Sequence, residues 1–94
     1  MNKGEIYKVL YGSLRGAFLK VEEIRPDDRG RAKLDRICGK ICFPEGVIGE
    51  ENLSRHLLSE TPLTKEETIH AFRSASDQAF AKLFKFFSEP KHGV

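Results

Sequence analysis

Between residues 6 and 53 the chain never runs more than a few apolar residues before a polar residue, a glycine or a proline interrupts it. The stretches between interruptions largely alternate apolar with polar. Side chains alternate faces along a strand, so this pattern admits short strands joined by tight turns and little else. It predicts a very small β-barrel.

EIYKVLY, residues 5 to 11, has the β-branched and aromatic content of a first strand, which Gly12 breaks. GSLRG is a turn between glycines. AFLKVEEI then alternates, with Leu19 and Val21 on one face and Phe18, Lys20 and Glu22 on the other. RPDDRG collects the residues that favour turn dihedrals and should close a hairpin onto RAKLDRI, a third strand. Gly39 and Lys40 suggest another tight turn, KICF a fourth strand ended by Pro44, and Val47 with Ile48 a minimal fifth.

Beyond Gly49 the period changes. Leu53, Leu57 and Leu58 suit a short helix over residues 50 to 59 that seals one end of the barrel. Thr64 followed by Glu67 is a capping box, which predicts a second, long helix over 64 to 88. At about 100° per residue, Ile69, Phe72, Ala79, Phe80, Leu83, Phe84, Phe86 and Phe87 fall on one broad stripe, and Gln78, Lys82 and Lys85 face away. Five of the seven phenylalanines lie there, each worth roughly 1.5 to 3 kcal/mol when buried. The helix either completes the core of a barrel too small to be stable alone, or lets Phe84, Phe86 and Phe87 dock a partner or a second copy. Pro90 and Gly93 predict a frayed tail.

Val9, Leu10, Gly12, Arg15, Gly16, Leu19 and Val21, and then Leu34, Ile37, Gly39, Lys40, Ile41 and Phe43, stand in an order that resembles the KOW type of SH3-like barrel, as in the carboxyl-terminal domain of NusG-type transcription factors. Val47, Ile48 or Leu53 would be the closing hydrophobic residue. The family usually has a further glycine near Leu19 and Lys20, and its pattern does not include the carboxyl-terminal helix. The resemblance covers about half of the chain. It implies a five-stranded antiparallel SH3-like barrel over 5 to 53; with the short helix and the long amphipathic helix read from the later spacing, the expectation is an α+β protein in one domain over 1 to 94.

Composition is that of a globular chain, 39% hydrophobic and 32% charged. MNKGEIYKVLYGS has no continuous apolar segment of the secretory kind, so a cytoplasmic location is expected, with Cys38 and Cys42 kept as thiols. The net charge of +2 is modest, but residues 1 to 40 hold ten Lys or Arg against six Asp or Glu, while residues 41 to 94 hold six against eight. The barrel half is the basic half. Lys8, Arg15, Gly16, Lys20, Arg31, Lys33, Arg36 and Lys40 are therefore candidates for contact with a nucleic-acid backbone, the glycine by allowing close approach. Tyr7, Tyr11 and Phe18 are candidates for base stacking or for core.

No nucleophile and base stand in a recognisable motif, and there is no phosphate-binding glycine loop, so an enzyme is not expected. His56, His70 and His92 with two cysteines do not make a zinc pattern, and neither metal nor cofactor is expected. Two functions remain. The first is a small regulatory module that contacts RNA or DNA backbone, with a protein contact besides. The alternative is a protein-binding adaptor or inhibitor, of the kind phages and plasmids encode, acting through the apolar helix or a barrel edge, as a monomer or homodimer.

Overall fold

A computed structural model describes residues 1–88; the expected frayed tail and His92 lie outside the described residues. Four strands, β1 (Ile6–Lys8), β2 (Phe18–Arg25), β3 (Arg36–Cys42) and β4 (Ile48–Ser54), form one antiparallel sheet in chain order. Two short 3-10 turns, Ala32–Leu34 and Arg55–Leu57, precede β3 and follow β4. Helices α1 (Lys65–Ser74) and α2 (Asp77–Ser88) complete the chain.

Register sorts the side chains into two cores. Tyr7 pairs with Leu19 and Leu19 with Ile41, and that row faces inward with Val9, Val21, Ile37 and Leu58. The next row, Lys8, Phe18, Cys42 and Ile48, faces the opposite way. There Phe18 and Cys42 meet Leu83 and Phe86 of α2, so the helices cover part of the outer face of the sheet, and Arg36, Ile48 and Glu50 on that face stay exposed. The sheet curls enough for Val9 to bridge Leu58, and the bonds Leu10 N–H to Leu57 O, Ser59 N–H to Lys8 O and Leu63 N–H to Ile6 O, each 2.8 Å, cover the β1 edge. β4 is the outer strand, and its Glu50 and Glu51 are charges of the kind that discourage edge pairing.

The expected five-stranded barrel is corrected to four strands, for a reason local to Gly39. No turn forms there: residues 36 to 42 are one strand, and a Cβ on Gly39 would lie 1.9 Å from the Lys20 carbonyl oxygen. Glycine is required because β2 presses in where its register slips between Val21 and Glu23. The segment expected as a third strand holds a 3-10 turn in its middle, and only its end enters β3. Val47 and Ile48 do not make a fifth strand, because Ile48 opens β4.

The helices are also corrected. Residues 50 to 59 carry most of β4 and a 3-10 turn instead of a helix, since Glu50 pairs across from Lys40 and Leu53 from Ile37, where it packs on the inner core. The long helix is two. At α1 the capping box forms as expected, with the Thr64 hydroxyl accepting from Glu67 N–H at 3.1 Å and the Glu67 carboxylate accepting from Thr64 N–H at 2.9 Å. α1 then ends at Ser74, and the Ser76 hydroxyl accepts from Ala79 N–H at 3.2 Å to start α2. The two helices meet at Phe72 of α1, whose ring lies 5.2 Å from Phe80 and 5.5 Å from Phe87 of α2.

Candidate interaction surfaces

Of the basic residues singled out in the sequence, Lys8, Lys20, Arg36 and Lys40 stand on the outer face of the sheet by register, whereas Arg15, Arg31 and Lys33 lie outside the strands, and most of the face-sharing cations already have partners within the fold. Lys20 is 6% exposed: α2 covers it, its ammonium donates to the Phe86 carbonyl, and it lies 4.9 Å from the centroid of the Phe86 ring. It is a structural cation. Arg36 is exposed but occupied across the strands, donating from Nε to Asn52 Oδ1 at 2.7 Å and from its terminal nitrogens to Ser54 Oγ and the Asn52 carbonyl. Lys40 stands opposite Glu50 in register. Arg31 binds Asp27 at 3.0 Å, and that guanidinium is the main reason the Asp27 carboxyl is held below its ordinary range.

Lys8 lies instead on the rim of a cleft of about 480 Å³ between the sheet and α1, with Phe18, Pro44 and Leu63 among its apolar lining and Glu66, Glu67 and His70 as polar neighbours. Gly16 lines the same cleft and has φ +96°, the left-handed region in which glycine carries no steric penalty. The neighbouring Arg15 is exposed on the loop between β1 and β2.

The corner formed by the two 3-10 turns gathers several cations around a concavity. A groove of about 410 Å³ is lined by Leu10, Tyr11, Lys33, Arg55, His56 and Glu60. A second groove beside it adds Arg31. His56 Nδ1 lies 3.3 Å from the Lys33 carbonyl and so ties the turns together. Arg55 is already committed, donating to the Ser59 and Glu60 carbonyls and resting 5.2 Å from the Tyr7 ring centroid. Of the three stacking candidates, Tyr7 and Phe18 are core, and burial pushes the Tyr7 hydroxyl pKa up. Tyr11 is 61% exposed.

The helix pair offers the opposite kind of surface. Phe86 is buried in the outer core, and Phe87 is half-buried, 5.5 Å from Phe18, so neither is a docking residue. Phe84 is 56% exposed, and Phe80 lies nearly parallel to it at 20°, with centroids 6.3 Å apart and 44% exposure. Phe72 of α1 touches both rings, and Ile69, three residues earlier and so on the same side of α1, is 39% exposed. The sequence put Phe80 on the apolar stripe but gave no sign that it would face outward. The stripe is divided between two helices at Ala75 and Ser76, and Phe80 and Phe84 of its second part are exposed.

Among the described residues no group of three or more His, Cys, Asp or Glu could hold a metal ion. No helix among them is long and apolar enough to cross a membrane. No protein-family model, curated protein or solved structure matches the chain.

Proposed function

We propose that this chain is a non-enzymatic protein-docking module, of the adaptor or inhibitor kind, whose working surface is the aromatic ridge where α1 and α2 meet. The observation that carries the reading is the stacked, outward-facing pair Phe80 and Phe84. Large exposed aromatics cost solvation free energy unless a partner covers them, and aromatic residues dominate the energetic centres of protein interfaces. The ridge is also rigid. Leu83 and Phe86, on the other side of α2, are locked into the outer core, so little ordering is needed on binding. A cytoplasmic setting belongs to the same proposal and is supported by the two unpaired thiols, Cys38 and Cys42.

A random peptide library selected against the immobilised chain tests the reading. Binders rich in apolar residues are expected, weakened about tenfold or more by Phe84→Ser. Binders indifferent to both Phe84→Ser and Phe80→Ser overturn it.

A second reading, contact with single-stranded nucleic acid, is favoured by one observation: exposed Tyr11 beside Lys33 and His56 at the grooved corner. A tyrosine face stacks on any base, and a neighbouring cation meets the phosphate. Anisotropy of labelled single-stranded RNA and DNA at about 50 and 200 mM salt separates the readings, because phosphate contact weakens steeply with salt. Binding lost in Tyr11→Ala and Lys33→Glu supports the corner; no binding at the lower salt removes it.

A further inference from the structure

We infer that the occupant of the aromatic ridge is a second copy of this chain, paired about a two-fold axis that crosses α2 at Ala81. The inference rests on the docking reading above. Its ground is the charge pattern along the exposed side of α2. Asp77, Ala81 and Lys85 are exposed and four residues apart, so they form one ridge along the helix, with an acid at its amino end, a base at its carboxyl end and a small residue between.

That ridge is complementary to itself when run antiparallel. With Ala81 against Ala81 of the second copy, the methyl groups let the two helices approach closely, and each Asp77 falls beside the other copy's Lys85, about 6 Å along the axis on either side of the crossing. Symmetry makes the pair twice, as an isologous interface requires. Phe80 and Phe84 lie on the same flank of this ridge, the flank on which α1 packs. The two-fold axis keeps like flanks together, so Phe80 of one copy meets Phe84 of the other and both Ile69 side chains border the cluster.

Area bounds the size of the interface. From their fractional exposure, Phe80, Phe84 and Ile69 offer roughly 250 to 300 Å² of apolar surface per copy. With a polar rim of ordinary proportion, two copies would bury about 900 Å² in total, at the low end for a specific interface. At that size the dimer is a weak, reversible one, with a dissociation constant set by how well the phenylalanines pack and not by area.

Sedimentation equilibrium of the full chain from about 5 to 500 µM brackets that constant. A monomer–dimer equilibrium is expected, lost in Phe84→Ser. Asp77→Lys alone and Lys85→Asp alone are each expected to weaken it about tenfold, since two attractive pairs become repulsive, and the double exchange to restore it. Circular dichroism checks that α2 remains folded, and Lys85→Asp carries the test alone if Asp77→Lys unfolds the first turn. A dimer indifferent to the exchanges and to Phe84→Ser overturns the inference. A wild-type chain monomeric throughout also overturns it: if library peptides still bind in a Phe84-dependent way, only the second copy is excluded, and if they do not, the docking reading falls with it.

Discussion

Removing the ammonium of Lys20 should detach the helices from the sheet more effectively than any surface change. Phe86 lies in the last turn of α2, where carbonyls lack intrahelical partners, and the residue four positions on, Pro90, has no N–H to offer. Lys20 reaches from β2 to satisfy that carbonyl and places its positive charge at the negative end of the helix. A hydrogen bond to a charged donor is worth about 1.5 to 3 kcal/mol, and the contact with the Phe86 ring about 0.5 to 2 kcal/mol more. Against this stands the cost of keeping an ammonium out of water, which a methionine would not incur. Lys20→Met, which keeps most of the apolar stem, should therefore destabilise the fold by about 2 kcal/mol. Lys20→Ala loses three further methylenes at roughly 0.8 kcal/mol each and should cost about 4 kcal/mol. Urea unfolding followed by circular dichroism measures both, and amide exchange in α2 should rise before that in β2 and β3. A Lys20→Met protein within about 0.5 kcal/mol of wild type would refute the reasoning, because the bond to the carbonyl would then contribute nothing beyond packing.

Other expectations follow from the same two cores. Gly39→Ala should cost more than about 4 kcal/mol or prevent folding, since its Cβ would meet a β2 carbonyl at 1.9 Å, and thermal unfolding of the purified variant checks this. Phe86→Ala should lose about 3 to 5 kcal/mol while Phe84→Ser changes stability by less than about 0.5 kcal/mol, a contrast that urea titration of the pair reads directly. Thr64→Ala should cost about 1 kcal/mol through the capping box. The backbone bond from Thr64 holds the Glu67 carboxyl below its ordinary range, so its stabilising contribution is present above the unfolded-state value and lost as pH falls through the lower, folded one. The difference between wild type and Glu67→Ala, measured from pH 7 to 3, should accordingly shrink on acidification.

How much of this was legible in the sequence depends on whether the signal was local. Alternation located β1 and β2, and the capping box located the start of α1, because each depends on residues a few positions apart. Gly39 misled because glycine marks both turns and close backbone approach, and only the position of β2 decides between them. Leu53 and Leu57 misled because a spacing of four suits a helix as well as a strand running into a 3-10 turn. The break in the long helix did leave a sign, in Ser74, Ser76 and Asp77, but the phenylalanine stripe runs through it unbroken in projection. Lys20 looked like a surface cation, since no sequence feature reveals that α2 folds over the outer face of β2. The ridge was half legible: Phe84 was singled out, whereas Phe86 and Phe87 face the sheet and Phe80 takes their place.

The most direct test compares two double variants, Phe80→Ser/Phe84→Ser and Tyr11→Ala/Lys33→Glu, in parallel titrations with the selected peptides and with single-stranded RNA. The first variant should lose the peptides by about tenfold or more while the second keeps them. If the second variant loses a salt-sensitive RNA interaction while no peptide depends on the phenylalanines, the working surface is the basic corner, and the claim made for the ridge is wrong.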